Sequence, residues 1–311
     1  MPGRRRSLAA LLLGLAAAGC GGSVTDADPP IDAPGDYVRT LSSGGRDRTY
    51  ELHVPPGWTR SARLPVVLVF HAVPGTAQGI QAITRFNAVA DERGFIAAYP
   101  RAATGDWELG CGGCTAAELE GVDDVRFVRA LIDEIGAEAG AGTSRVYVAG
   151  YSQGALLAHH LACAMADRVA AFASVAATML EPTANDCTST RRVPALFIHG
   201  TADAVFPPGG LTAGGLTSLS LDATIEFWLA RNGCTGVGTP TVLPDTQADG
   251  TTVTRTTFPG CPASGEVVLY QVVGGGHTWP GAAPGTLPAA LGPVSRDVDA
   301  SELLGEFFAR H

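Results

Sequence analysis

Arg145-Val146-Tyr147-Val148-Ala149-Gly150-Tyr151-Ser152-Gln153-Gly154-Ala155-Leu156-Leu157 joins an unbroken apolar run to a helical one through a G-x-S-x-G turn. With 40 glycines in 311 residues the pentapeptide alone carries little weight, so its setting decides. A short apolar run without alternation fits a strand covered on both faces. A helix opening at Gly154 then puts Ser152 on a sharp strand-to-helix turn. Glycines on either side let the two backbones approach, and the helix N-terminus faces the hydroxyl. Ser152 is therefore the candidate nucleophile.

The same reading extends outward. Pro65–Phe70, Phe95–Tyr99, Ala195–Ile198 and Val267–Tyr270 are further unbroken apolar runs, as parallel strands buried on both faces require. Val122–Glu138 carries apolar residues at Val125, Val128, Leu131, Ile132 and Ile135, with Asp123 and Asp124 at its start, where acids favour the helix dipole. Gly154–Asp167, Ala223–Asn232 and Ala300–His311 read as helices too. Strand and helix in alternation predict a mostly parallel central sheet with helices on both faces and right-handed crossovers. Tyr37–Leu41 and Thr49–Val54 instead alternate apolar with polar residues, which predicts antiparallel N-terminal strands with one wet face.

A serine needs a base and an orienting acid to become a nucleophile. Of seven histidines, His53 lies mid-strand, His159 and His160 run along the helix after the turn, and His311 is terminal. His71 and His199 end buried strands but come too early in the chain for the order Ser, acid, His. His277 follows the last apolar strand through Gly274-Gly275-Gly276, read as a flexible loop able to bring the imidazole over Ser152. Between them, Asp203 is the one acid at the carboxyl end of a strand; Asp186 and Asp222 read as surface or helix-start residues. Backbone N–H groups must receive the developing oxyanion. Gln153 supplies one, and the loop after Phe70 the other, from Val73 or alternatively Ala72; Pro74 has no N–H. Trp279, beside the base, and Trp107 are candidate substrate-facing aromatics. There is no HExxH, no GxGxxG after a strand, and adjacent His159 and His160 point in different directions on a helix, so no metal or cofactor is expected.

Met1–Gly19 reads as an export signal: Arg4-Arg5-Arg6, then the apolar Leu8–Ala18, too short to span a bilayer. Ala17-Ala18-Gly19-Cys20 resembles a lipoprotein box that would acylate Cys20, with plain secretion as the alternative. Residues 20–35 read as a disordered tether and 36–311 as one catalytic domain, with no repeat and no linker to a second module. The net charge of −9 becomes −12 without the three leader arginines, which argues against nucleic acid. The chain has no lysine, which excludes Schiff-base, P-loop and Ser-Lys chemistry. Apart from Cys20 there are six cysteines, an even number in an exported chain. Local pairing is expected, Cys111 with Cys114, Cys163 with Cys187 and Cys234 with Cys261; Cys111-Gly112-Gly113-Cys114 as a redox dithiol is the alternative.

Gly121–Val125, Gly150–Gly154, His199–Asp203, Phe227–Cys234 and Gly275–Gly281 together resemble the family of secreted poly(3-hydroxybutyrate) depolymerases and feruloyl esterases (carbohydrate esterase family 1). The resemblance implies an α/β-hydrolase fold, a Ser152–Asp203–His277 triad, a Cys234–Cys261 bridge, and hydrolysis of feruloylated saccharides or hydroxyalkanoate oligomers. His71-Ala72 departs from the usual His-Gly, which bears on the substrate more than on the mechanism. A peptidase on this fold and a silent surface-binding lipoprotein are the competing readings. The expected membrane contact is confined to a lipid on Cys20.

Overall fold

The structure, a computed structural model, describes residues 28–311; the export signal, Cys20 and the first part of the expected tether lie outside them. In chain order the strands are β1 (Gly35–Ser43), β2 (Arg46–Val54), β3 (Val66–Phe70), β4 (Ile96–Pro100), β5 (Val146–Tyr151), β6 (Val169–Val175), β7 (Ala195–Gly200), β8 (Thr212–Ala213), β9 (Leu216–Thr217), β10 (Thr239–Val242), β11 (Thr252–Thr257) and β12 (Val267–Val273). The helices are α1 (Ala77–Thr84), α2 (Phe86–Arg93), α3 (Ala116–Leu119), α4 (Asp124–Ala139), α5 (Gln153–Ala164), α6 (Glu181–Asp186), α7 (Leu221–Asn232) and α8 (Ala300–Phe308). Ten strands form one sheet in the order β1-β2-β4-β3-β5-β6-β7-β12-β11-β10, and β8 and β9 make a separate small ribbon. The chain is an α/β-hydrolase in architecture, its parallel centre running from β4 to β12.

Period-two alternation explains why the central strands are apolar throughout. Leu68, Phe70, Val146, Val148 and Phe172 face one core with α4, α5 and α7, while Val67, Val69, Tyr147 and Ala149 face the other with α1, α2 and α8. Successive strands leave β3 first towards β4 and then, after a crossover, towards β5. That reversal opens a crevice at the carboxyl ends of β3 and β5, where open α/β sheets place their sites.

Four expectations are revised. The far edge is antiparallel as well: β12 pairs with β11, and β11 with β10. β6, α1 and α2 were not foreseen. The folded chain begins before Asp36, because Ile31 is buried and the Pro29 carbonyl accepts a hydrogen bond from Arg39. Asp124 does more than favour a helix dipole. It is fully buried, paired at 2.6 Å with Arg48, and accepts the Glu108 N–H, while Asp123 caps α4 by accepting the Arg126 N–H. Burial pushes the Asp124 pKa up and the adjacent guanidinium pulls it back.

Candidate active site

The turn at Ser152 is as sharp as its glycines allow. Ser152 has φ 58° and ψ −122°, in the left-handed half of backbone space, and caps α5 without using its side chain. A Cβ on Gly150 would run into the Gly154 carbonyl, and one on Gly154 into the Phe70 carbonyl. These two positions admit only glycine, and the hydroxyl stays free for another partner.

That partner is His277. Its Nε2 lies 2.9 Å from Ser152 Oγ, and its Nδ1 lies 2.8 Å from Asp203 Oδ2. The carboxylate holds the Nδ1 proton, so Nε2 presents its lone pair to the serine. The other oxygen of Asp203 accepts the N–H groups of Val205 and Phe206, both at 2.8 Å, so the acid is fixed without a cation. All three side chains are buried. Tyr151 donates its hydroxyl to the His277 carbonyl at 2.6 Å, and burial pushes its pKa well up, which keeps it a donor.

Gly274–Gly276 is pinned rather than flexible. Gly275 N–H donates to Val272, Gly276 N–H to Pro293 and His277 N–H to Leu291. A Cβ on Gly276 would strike the Leu291 carbonyl, so the glycine is there for close approach.

Gln153 is the first residue of α5, so its N–H has no intrahelical acceptor. Val73 N–H likewise has no acceptor among the described residues. Val73, Ser152 and His277 border one cavity of about 300 Å³, completed by apolar residues including Ile83, Leu287 and Leu291. No Asp, Glu, Lys or Arg lines it.

Trp107 and Trp279 do not face this cavity. Trp279 is buried behind Tyr151 with its indole N–H on Ser301 Oγ, because a buried indole needs an acceptor and Ser301 supplies it. Trp107 is wholly buried, its indole N–H on the His71 carbonyl and its backbone N–H on Gln153 Oε1. The role of His71 was missed from sequence. Its Nε2 accepts the Ala102 N–H, so Nδ1 carries the proton and donates to Ala72 O. Burial lowers its pKa and keeps the ring neutral.

The six cysteines pair as expected: Cys111 with Cys114, Cys163 with Cys187 and Cys234 with Cys261. Cys111, Cys114 and Glu118 bring ligand-type atoms within 4.8 Å of one another, but both sulfurs are taken up in a disulfide. Among the described residues no helix is long and apolar enough to cross a membrane.

Residues 48–180 match the family model described as esterase PHB depolymerase. Over that segment, less than half of the chain, the protein is similar to this esterase family. A protein of Nocardia uniformis subsp. tsuyamanensis named "Putative esterase NocK" is 28% identical to this chain over 97% of each. Feruloyl esterase B of Piromyces equi is 29% identical over 72% of this chain, which spans 41% of that protein's length. Among solved structures, the acetyl xylan esterase from Aspergillus awamori superposes with a TM-score of 0.59 at 14% identity, covering 88% of this chain and all of that one. This last likeness is one of fold.

Proposed function

We propose that the protein is an exported serine esterase that cleaves neutral carboxylic esters through an acyl-enzyme on Ser152. One observation carries the reading: the hydrogen-bond chain Asp203–His277–Ser152, at 2.8 and 2.9 Å, ends on a hydroxyl that opens into an apolar cavity. His277 Nε2 takes the serine proton as Oγ attacks the ester carbonyl, and Asp203 stabilises the imidazolium without taking the proton itself. The N–H groups of Gln153 and Val73 receive the oxyanion. His277 then protonates the leaving alcohol, and a water activated by the same nitrogen releases the acid.

The uncharged lining suits a neutral acyl group, an aromatic acid or a 3-hydroxyalkanoate, better than an acyl chain ending in a carboxylate. Feruloylated saccharides and hydroxyalkanoate oligomers are the substrates we assign. The named activity of the Piromyces relative supports the first. Three disulfides and the leader Met1–Gly19 support export, with Cys20 as the acylated first residue.

Fluorophosphonate labelling followed by peptide mapping tests the mechanism. Label on Ser152, lost in Ser152→Ala together with hydrolysis of p-nitrophenyl esters, is the expected result. Near wild-type hydrolysis by Ser152→Ala would remove the proposal. Methyl ferulate and hydroxybutyrate oligomers assayed side by side then decide between the two acyl classes. The mass of the N-terminal peptide from membrane fractions reads the state of Cys20.

A further inference from the structure

The two oxyanion donors lie on different elements, Gln153 at the start of α5 and Val73 in the loop after β3. An oxyanion hole works only if both N–H groups keep a fixed spacing while charge develops. Trp107 is the residue that touches both sides. Its backbone N–H donates to Gln153 Oε1 at 2.8 Å, and its indole N–H donates to the His71 carbonyl at 2.9 Å. Its ring packs edge-on against Phe70 and at a tilt on His71, with centroids 5.4 and 4.7 Å away.

From His71 the constraint passes to Val73. The protonated Nδ1 of His71 draws the Ala72 carbonyl towards it, at 2.7 Å. The Ala72–Val73 peptide is trans, so its N–H points opposite to that carbonyl. With the carbonyl turned towards buried His71, the Val73 N–H is aimed away from it, and Val73 borders the cavity. The segment carrying Trp107 is itself held: Ala102 N–H donates to His71 Nε2, Glu108 N–H to Asp124, and Leu109 N–H to Glu118.

We propose that Trp107 is a positioning residue that sets the spacing of the Gln153 and Val73 oxyanion donors. The proposal rests on the serine-hydrolase reading. It differs from a packing role in one respect: the indole N–H, not the ring's bulk, is what transition-state stabilisation needs.

Trp107→Phe keeps an aromatic ring against Phe70 and His71 but removes part of the ring's bulk along with that N–H. So 3-benzothienylalanine at position 107, which keeps the bicyclic shape and lacks only the N–H, is measured beside it and must show the same loss. Gln153→Met removes the other anchor point with little change of shape. Each is measured for kcat and KM on p-nitrophenyl butyrate, for thermal midpoint, and for inhibition by an aliphatic trifluoromethyl ketone, whose serine adduct places an oxyanion in the hole. Loss of a donor in such a hole lowers kcat a hundredfold or more, so displacement is expected to cost about ten- to a hundredfold with KM changed by less than about threefold. The inhibition constant should rise by the same factor as kcat falls, and the double variant should lose less than the product of the two, because both act on one element. Unchanged kcat and inhibition constant in folded Trp107→Phe would overturn the proposal. So would a fall in kcat without weaker inhibition. If Trp107→Phe does not fold, Gln153→Met carries the same two outcomes. Wild-type protein that takes no fluorophosphonate would instead remove the serine-hydrolase reading underneath.

Discussion

At the floor of the cavity, Ser152, Asp203 and His277 are held by directed bonds from strand-end backbone; at its rim, the side chains of Val73, Val205 and Leu287 meet the opening as apolar surface. Ser152 donates its N–H to Val175 and accepts two helical N–H groups, and His277 is gripped at both its N–H and its carbonyl. Val73 and Val205 are each about two-fifths exposed. Hydrogen bonds fix direction, whereas apolar contact fixes only volume. The floor is thus built to perform one reaction, and the rim to be reshaped for different acyl groups without disturbing it.

The sharpest way to break the contrast is at the floor. Asp203→Asn keeps the bonds from Val205 and Phe206 available but removes the charge that orients the His277 proton. Its kcat should fall by about 10⁴-fold, as losing the acid of such a triad does elsewhere. The folded structure should persist, since no cation is left unpaired. A fall of less than about tenfold in stopped-flow or steady-state assays would mean the acid lies elsewhere.

A bridge remote from the floor should do the reverse. Cys234–Cys261 joins the end of α7 to the turn after β11, across a separation of 27 residues. Replacing both cysteines by serine removes a constraint on the unfolded chain worth about 3 kcal/mol. Denaturant titration should show that loss while kcat of the folded protein stays unchanged. A large drop in kcat at full folding would show that this edge of the sheet communicates with the floor.

What the sequence disclosed follows the same division. Strands covered on both faces are apolar at every position, so β3, β4, β5, β7 and β12 stood out, and a nucleophile turn, an acid and a base at their ends could be read in order. β6 was hidden because Val169–Val175 is alanine-rich and follows α5 closely, merging with its helical pattern. β10 and β11 are threonine-rich, β10 exposed throughout and β11 mostly half-buried, and neither carries an apolar periodicity. Gly274–Gly276 looked flexible because a sequence shows glycine's freedom and not the carbonyl it must clear. Trp107 and Trp279 looked like substrate contacts because nothing local reveals the acceptor that a buried indole finds elsewhere in the chain.

At the rim the expected effects are smaller and selective. Leu287→Ala widens the cavity that Ser152 borders. It should shift kcat/KM between acetyl and hexanoyl p-nitrophenyl esters by about tenfold in favour of the longer chain, the scale of one or two methylenes in an apolar pocket. The rate of labelling by a small fluorophosphonate should stay within about twofold. An equal loss on every ester would place Leu287 with the floor.

The last effect is one of pH and concerns a histidine that belongs to neither region. His159 lies on α5 below the nucleophile, fully buried among Phe172, Phe197 and Trp228, and accepts the Trp228 indole N–H at 3.1 Å. Burial pushes its pKa down to about 3, so the folded protein keeps it neutral where the unfolded chain, at its ordinary value near 6.5, takes up a proton. The unfolded state therefore binds more protons across that window. Stability contributed by the neutral ring is complete above pH ~6.5 and is lost as pH falls towards 3, by about 1 kcal/mol per pH unit. His71 and His199 are shifted the same way and add to the wild-type slope. His159→Gln preserves an acceptor for Trp228 and cannot be protonated, so the difference between the two proteins isolates this one group. Urea midpoints taken from pH 7 to pH 4 should converge as the acid limit is approached, with the variant less stable at neutral pH and less sensitive to acid. Parallel curves would mean that His159 already carries a second proton in the folded core, which its Nδ1, facing the donating indole N–H of Trp228, does not support.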